Sequence, residues 1–374
     1  MALFVLMAGG TGGHLFPAMA LAEELRRRGH VIHLMTDHRV ESYGGHFPAR
    51  EIHIVPSATP SLGNPLKFAA AGFRIAWGIA VALQKLGRIR PDAVVGFGGY
   101  PVFPPFVAAA LRHQPGVLHE QNAVMGRANR ALARFARAIA LSFAETRHAA
   151  AYAARTVLTG NPARDRVREI AAARRYAPPE AGGRLRLLVF GGSQGARAFS
   201  DLVPPAIALL PEPTRLRLDI VQQCRPEDLD RVAAVYRDLK VDVTLESFFS
   251  DLPERMIAAH LVICRSGASS VAELGVLGVP ALFVPLPGSI DADQKANAGE
   301  FERAGAGWLI EQVNISPQSL ANRLEDLFNA PDQLQAAARA AKAEGRPDAV
   351  ARLADLAETI AAGRVPHSGG LQTK

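Results

Sequence analysis

Residues 3–14 read LFVLMAGGTGGH, and residues 185–195 read LRLLVFGGSQG. Each is an apolar run followed at once by a glycine-rich turn. A strand apolar at nearly every position is buried on both faces, the condition of a parallel strand covered by helices. A turn of this kind at a helix N-terminus exposes backbone N–H groups, where donors and helix dipole together hold a diphosphate. One such loop says little. Two, at matching places in one chain, suggest a donor and an acceptor that both carry phosphate.

The same alternation continues outward from these stretches. Leu3 to Met7, Val31 to Met35, Ile52 to Val55, Ala93 to Phe97 and Val117 to His119 read as strands, separated by helices at Pro17 to Arg28, Pro65 to Leu86 and Val102 to Arg112. A second series runs through Leu185 to Phe190, Leu218 to Val221, Val241 to Leu245, Leu261 to Cys264 and Ala281 to Val284. This predicts the α/β class, with two Rossmann-like parallel-sheet domains facing an interdomain cleft. A chain of 374 residues also exceeds what one core usually organises. Gly160, Asn161 and Pro162 mark the junction, giving domains 1–162 and 163–374. A last amphipathic helix, Pro347 to Ala362, could cross back to the first domain.

Apolar residues make up 49% of the chain and charged residues 21%, which excludes disorder for most of it. Residues 1–162 hold 17 Lys and Arg against 8 Asp and Glu, a balance of +9; the remainder holds 25 against 27, a balance of −2. The basic half is expected to meet a polyanion or an anionic membrane, against the plain alternative of unevenly solvated faces. Only Met1 and Ala2 precede the first strand, leaving no room for a secretory signal. Leu66 to Leu86 is the longest apolar segment, and Lys67, Arg74 and Lys85 within it argue against a membrane span. Two cysteines, Cys224 and Cys264, supply neither a disulfide framework nor a zinc site and read as buried thiols.

Neither glycine loop is followed by Gly-Lys-Ser/Thr, so nucleoside triphosphate hydrolysis is not expected. Gly10, Gly12 and Asp37 partly imitate a dinucleotide fingerprint, but the third glycine position holds Leu15. Asp291, Ala292 and Asp293 form an Asp-x-Asp sequence that binds metal in other architectures; three residues match easily by chance, and no metal or cofactor is expected.

The motifs resemble one family. MAGGTGGHLFP at 7–17, GFGGYP at 96–101, HEQN at 119–122, GNPAR at 160–164, GGSQGAR at 191–197 and CRSGASSVAE at 264–273 are similar to the MurG family, in the right order and over nearly the whole chain. Pro280 to Pro285, with Asp293, Gln294 and Asn297, completes the likeness. The resemblance implies a GT-B type fold and an inverting, metal-independent transfer of N-acetylglucosamine in cell-wall synthesis. Its donor is UDP-N-acetylglucosamine and its acceptor lipid I (undecaprenyl-diphospho-N-acetylmuramoyl-pentapeptide), giving lipid II through a β-1,4 bond. The implied partners are these two substrates and anionic lipids, with no nucleic acid. The implied place is the cytoplasmic face of the bacterial inner membrane, held peripherally by the first domain.

By the same resemblance, the donor is bound through Glu273 at the ribose, Gly192, Ser193, Gln194 and Gly195 at the diphosphate, and Arg164 beside it. The Phe249 backbone reads uracil and Gln294 meets the sugar hydroxyls. Thr11, Gly12, Gly13, His14, Tyr100 and Asn122 fall to the acceptor. Gln222 to Arg225, and Asp293 before Gln294, depart from the family pattern and leave contacts there open. Imidazole titrates near neutral pH and His14 ends the first glycine loop, which makes it the expected base; Glu120 is the second choice. The rivals are a UDP-N-acetylglucosamine epimerase, a lipid glycosyltransferase with another acceptor, and a non-enzymatic membrane scaffold.

Overall fold

The computed structural model describes residues 1–9, 12–38, 47–59, 63–192 and 195–364, so Thr11, Ser193 and Gln194 of the expected site lie outside the described residues. The chain forms two compact units. One holds Met1–Arg164 together with the segment from Arg346 on; the other holds Asp165–Gly345.

Unit 1 is a parallel sheet of β1 (Leu3–Met7), β2 (Val31–Thr36), β3 (Glu51–Ile54), β4 (Ala93–Gly96), β5 (Gly116–Glu120), β6 (Ala138–Leu141) and β7 (Thr156–Leu158), in the order β3-β2-β1-β4-β5-β6-β7. Both faces are covered, as the unbroken apolar strands require. Phe4 and Leu6 of β1 pack with Leu21 and Leu25 on one side, and Val5 and Met7 pack with Met35, Ala82 and Phe106 on the other. The first side belongs to α1 (Gly12–Arg27) and to the final helix, Ala349–Ala361, whose Leu353, Leu356 and Ile360 enter this core. Arg28 fixes that helix by reaching Asp355 at 2.6 Å and Glu358 at 2.7 Å.

Helix α1 starts five residues before the expected Pro17. Pro17 lies inside it, where its missing N–H forgoes only the bond to the Gly13 carbonyl within the first turns. His113 and His148 occupy left-handed positions at φ 56° and 68°.

The second face carries α2 (Pro65–Ile89) and α3 (Phe103–Leu111). Asn64 caps α2 by accepting from the Lys67 N–H, and Pro65 begins it. Only Ala71, Gly78, Ala82 and Leu86 of α2 are buried. At Gly78 a side-chain carbon would stand 2.0 Å from the Pro56 carbonyl oxygen, so the helix is seated through a residue without one. Leu66, Phe68, Phe73 and Trp77 are exposed. Among the described residues, α2 is the one helix that meets the length and composition needed to cross a membrane, with 25 residues and an 18-residue stretch of mean hydropathy 1.5. Lys67, Arg74, Lys85 and Arg88 lie along the same helix.

Unit 2 is a parallel sheet of β8 (Leu185–Phe190), β9 (Leu218–Gln223), β10 (Asp242–Glu246), β11 (Leu261–Cys264), β12 (Ala281–Phe283) and β13 (Gly307–Leu309), ordered β10-β9-β8-β11-β12-β13. Leu185, Leu187 and Val189 pack with Phe199, Val203, Leu320 and Leu324 of the helices on one face. Cys224 and Cys264 are free and buried.

Candidate active site

In an open parallel sheet, ligands bind beyond the carboxyl ends of the strands, where strand order reverses. In unit 1 the reversal falls between β1 and β4. The loops leaving those strands are the first glycine turn and Gly98 to Tyr100, beside the HEQN segment that ends β5. Gly9 is closely framed, since a side-chain carbon there would stand 3.0 Å from Thr36 Oγ1 and 3.2 Å from Asp37 Oδ1. Gly12 and Gly13 form the first residues of α1, with His14 half-buried in its opening turn.

The His14 imidazole is framed by two residues from the loops that follow β4 and β5. Its Nδ1 lies 3.2 Å from Gln121 Oε1, and its Cδ2 and Nε2 lie 3.2 and 3.3 Å from where Gly99 would carry a side-chain carbon. Tyr100 opens a short 3-10 turn directly after Gly99.

Glu120 is buried, and its carboxylate organises the following loop. It accepts from the backbone N–H of Asn122 at 3.0 Å and of Gly126 at 2.9 Å, and from Asn129 Nδ2 at 2.8 Å. Burial pushes its pKa up, and these hydrogen bonds oppose the rise. Asn122 also reaches the same carboxylate through its side-chain amide at 3.4 Å. His119 is wholly buried, with its pKa lowered to about 4 by desolvation. Asn129, 2% exposed, escaped the sequence reading although its amide also donates to the His119 carbonyl at 3.2 Å; it stands in a helix with no motif around it. Arg164, which ends the first segment of this unit, places its guanidinium 5.9 Å from the Phe16 ring centre.

In unit 2 the reversal lies between β8 and β11. A side-chain carbon on Gly191 would stand 2.4 Å from the Ala196 nitrogen, so only glycine fits at residue 191. Gly192 and Gly195 take φ of 94° and 68°. The turn leads into the helix Arg197–Ala208 and so presents a helix N-terminus, the expected anion site.

Gln223, part of the stretch that departs from the family pattern, braces this turn. It accepts from the Gly191 N–H at 3.0 Å and donates to the Ser247 carbonyl at 3.1 Å, coupling the glycine turn to the loop that carries Phe249. Phe249 itself is buried, with the Arg255 guanidinium 4.5 Å from its ring centre.

After β11, Ser266 donates to the Gln294 carbonyl at 2.8 Å and Asn297 donates to the Ser266 carbonyl at 3.1 Å. These bonds join the CRSGASSVAE segment to the helix Asp293–Arg303. Gln294 Oε1 accepts from the Leu286 N–H at 3.0 Å, and Asp293 Oδ1 accepts from the Gln294 N–H at 2.8 Å. Glu273 sits 5% exposed in the second turn of the helix Ala268–Leu277. Arg265, quoted within the motif but given no role, is buried and donates to the Val284 and Pro285 carbonyls, both at 2.9 Å.

Among the described residues, His33, Glu51 and His53 form a group with metal-ligand chemistry, on β2 and β3. His33 Nδ1 and His53 Nε2 are 2.9 Å apart and hydrogen-bonded.

Two doubly wound units in one chain, each with a glycine turn at its switch point, make the architecture of a GT-B glycosyltransferase. The glycosyltransferase family 28 N-terminal domain matches residues 4–141, and the family 28 C-terminal domain matches residues 186–353. A UDP-N-acetylglucosamine–N-acetylmuramyl-(pentapeptide) pyrophosphoryl-undecaprenol N-acetylglucosamine transferase of Methylobacterium sp. (strain 4-46) is 54% identical, over 95% of this chain and 95% of its own. The protein of the same name from Chelativorans sp. (strain BNC1) is 52% identical, over 96% and 95%. The crystal structure of MurG from Acinetobacter baumannii superposes with a TM-score of 0.78 at 31% identity, covering 95% of this chain and 99% of that one. The chain belongs to glycosyltransferase family 28, and within it to the MurG family.

Proposed function

We propose that this chain transfers N-acetylglucosamine from UDP-N-acetylglucosamine to lipid I, forming lipid II with inversion at the anomeric carbon. The observation that carries the reading is a glycine turn after the strand at each switch point, in a chain about half identical to transferases named for that donor and acceptor. An epimerase acting on the nucleotide sugar alone needs neither the second turn nor an exposed apolar helix.

The chemistry follows from charge. As the acceptor hydroxyl oxygen bonds to the anomeric carbon, His14 takes its proton and the carbon–oxygen bond to the diphosphate breaks, leaving imidazolium and UDP. The amides of Gly192 and Gly195, with Ser193, Gln194 and the helix dipole, stabilise the departing diphosphate; Arg164 adds positive charge. Glu273 accepts from the ribose hydroxyls, the Phe249 backbone meets uracil and Gln294 meets the sugar. Thr11, Gly12 and Gly13 hold the acceptor diphosphate by backbone contact, with Tyr100 and Asn122 beside it. Both Glu120 oxygens already serve the loop after β5, which favours His14 as the base.

The exposed apolar residues of α2, with Lys67, Arg74, Lys85 and Arg88 alongside, rest on the cytoplasmic leaflet, each nearby cation adding about 1 kcal/mol on anionic lipid. UDP release measured with and without lipid I tests the activity. Release that depends on lipid I supports the reading; epimerisation of the donor without an acceptor, or release driven by a diacylglycerol instead, replaces it.

A further inference from the structure

Gln121 is 2% exposed at the end of β5. Its amide nitrogen lies 2.9 Å from the Phe97 carbonyl oxygen, 3.2 Å from the His119 carbonyl oxygen and 3.0 Å from His119 Nδ1. Carbonyl oxygens only accept, so the end of the amide that faces them is the NH2 group, and the other end is the oxygen. That oxygen, 3.2 Å from His14 Nδ1, also only accepts, so Nδ1 must carry a hydrogen.

The far end of the chain is equally fixed. His119 Nε2 lies 3.0 Å from the Gly160 carbonyl oxygen and donates to it. His119 is held neutral by its burial, so its Nδ1 has the lone pair that receives the second Gln121 hydrogen. The chain runs one way: His14 Nδ1–H to Gln121 Oε1, Gln121 Nε2–H to His119 Nδ1, His119 Nε2–H to Gly160. Reversing any link would set two lone pairs or two hydrogens against each other.

We propose that Gln121 is the positioning residue of the transfer reaction, holding His14 as the Nδ1–H tautomer so that Nε2, the nitrogen beside Gly99, is the one that takes the proton. This rests on His14 being the base. A base in the wrong tautomer presents a hydrogen where the lone pair must be, and the loss is large in enzymes that depend on such a pair.

The test is the nitrogen NMR of histidine-labelled protein, with the His14 signals identified by their loss in His14→Gln. The expected result is a neutral His14 with a protonated Nδ1 and an unprotonated Nε2. In Gln121→Met the ring should move toward the Nε2–H form, with turnover falling about 10- to 100-fold and the KM for UDP-N-acetylglucosamine unchanged. An Nε2–H tautomer in the unsubstituted protein overturns the proposal, and that spectrum decides even if Gln121→Met does not fold. Unchanged tautomer and turnover in Gln121→Met also overturn it. If instead His14→Gln keeps full turnover while the tautomer is as expected, the base reading fails and takes the catalytic role of Gln121 with it, leaving only the hydrogen-bond chain.

Discussion

Gly99 stands against His14 so closely that even a methyl group at residue 99 would touch the imidazole, 3.2 Å from Cδ2 and 3.3 Å from Nε2. Gly99 also has φ 76° and ψ 163°, a backbone conformation open almost only to glycine. Gly99→Ala is therefore expected to cost about 1–3 kcal/mol of stability and to displace the ring, lowering turnover of the folded fraction. Thermal melts and turnover at saturating substrates check both. Normal turnover of folded protein would mean the ring position is not critical.

His14→Ala or His14→Gln should cut turnover by about 10²- to 10⁴-fold and leave the affinity for the UDP-sugar nearly intact, because the ring belongs to unit 1 and the proposed donor residues other than Arg164 belong to unit 2. A residue that merely packs the turn would show the opposite pattern, a lower melting temperature with normal turnover.

Glu273→Ala should weaken UDP binding by about 1.5–3 kcal/mol, the worth of hydrogen bonds to a charged acceptor. Calorimetry with UDP measures this directly. An unchanged dissociation constant would remove Glu273 from the donor site.

Stability should fall as the pH drops below about 6.5. Desolvation lowers the folded-state pKa of His119 and His260 to about 4 each, and lowers those of His33 and His53. The unfolded chain therefore binds more protons below pH 6.5, and each such histidine costs roughly 1.4 kcal/mol per pH unit until its folded pKa is reached. Glu120, raised by burial, offsets part of this. Melting temperatures at pH 7.5, 6.5 and 5.5, above most carboxylate titration, would refute the expectation by staying level.

Replacing Phe73 and Trp77 of α2 by Ser should reduce binding to anionic vesicles without unfolding the protein, since both side chains are largely exposed, at 76% and 58%. Co-sedimentation with neutral and anionic vesicles is the measurement. Undiminished binding by the double variant would acquit α2.

The two sheets were legible because several strands end abruptly. β1, β8 and β11 match the sequence reading to the residue, since each apolar run meets a small or charged residue at its carboxyl end. β6, Ala-Ile-Ala-Leu, and the three-residue strands β7 and β13 went unread because so few residues carry no period. The early start of α1 was hidden by glycines, which give no helix signal. Within the site, composition marked both glycine turns, but it could not reveal that Gln121 faces His14 across 107 residues, or that Gln223 supports Gly191 across 32. Pattern reading registers neighbours along the chain, and these bonds exist only once the sheets have assembled.

The helix Ala349–Ala361 gives the order of synthesis a consequence for quality control. Leu353, Ala354, Leu356, Ala357 and Ile360, each 1% exposed or less, close the core of the unit whose strands leave the ribosome first. Until they arrive, the emerging sheet keeps an apolar face open, while all of residues 165–345 can complete a core of their own. A ribosome that stops short of Ala349 thus releases a chain with its second unit finished and its first unit unsealed, a ready substrate for chaperones and proteases.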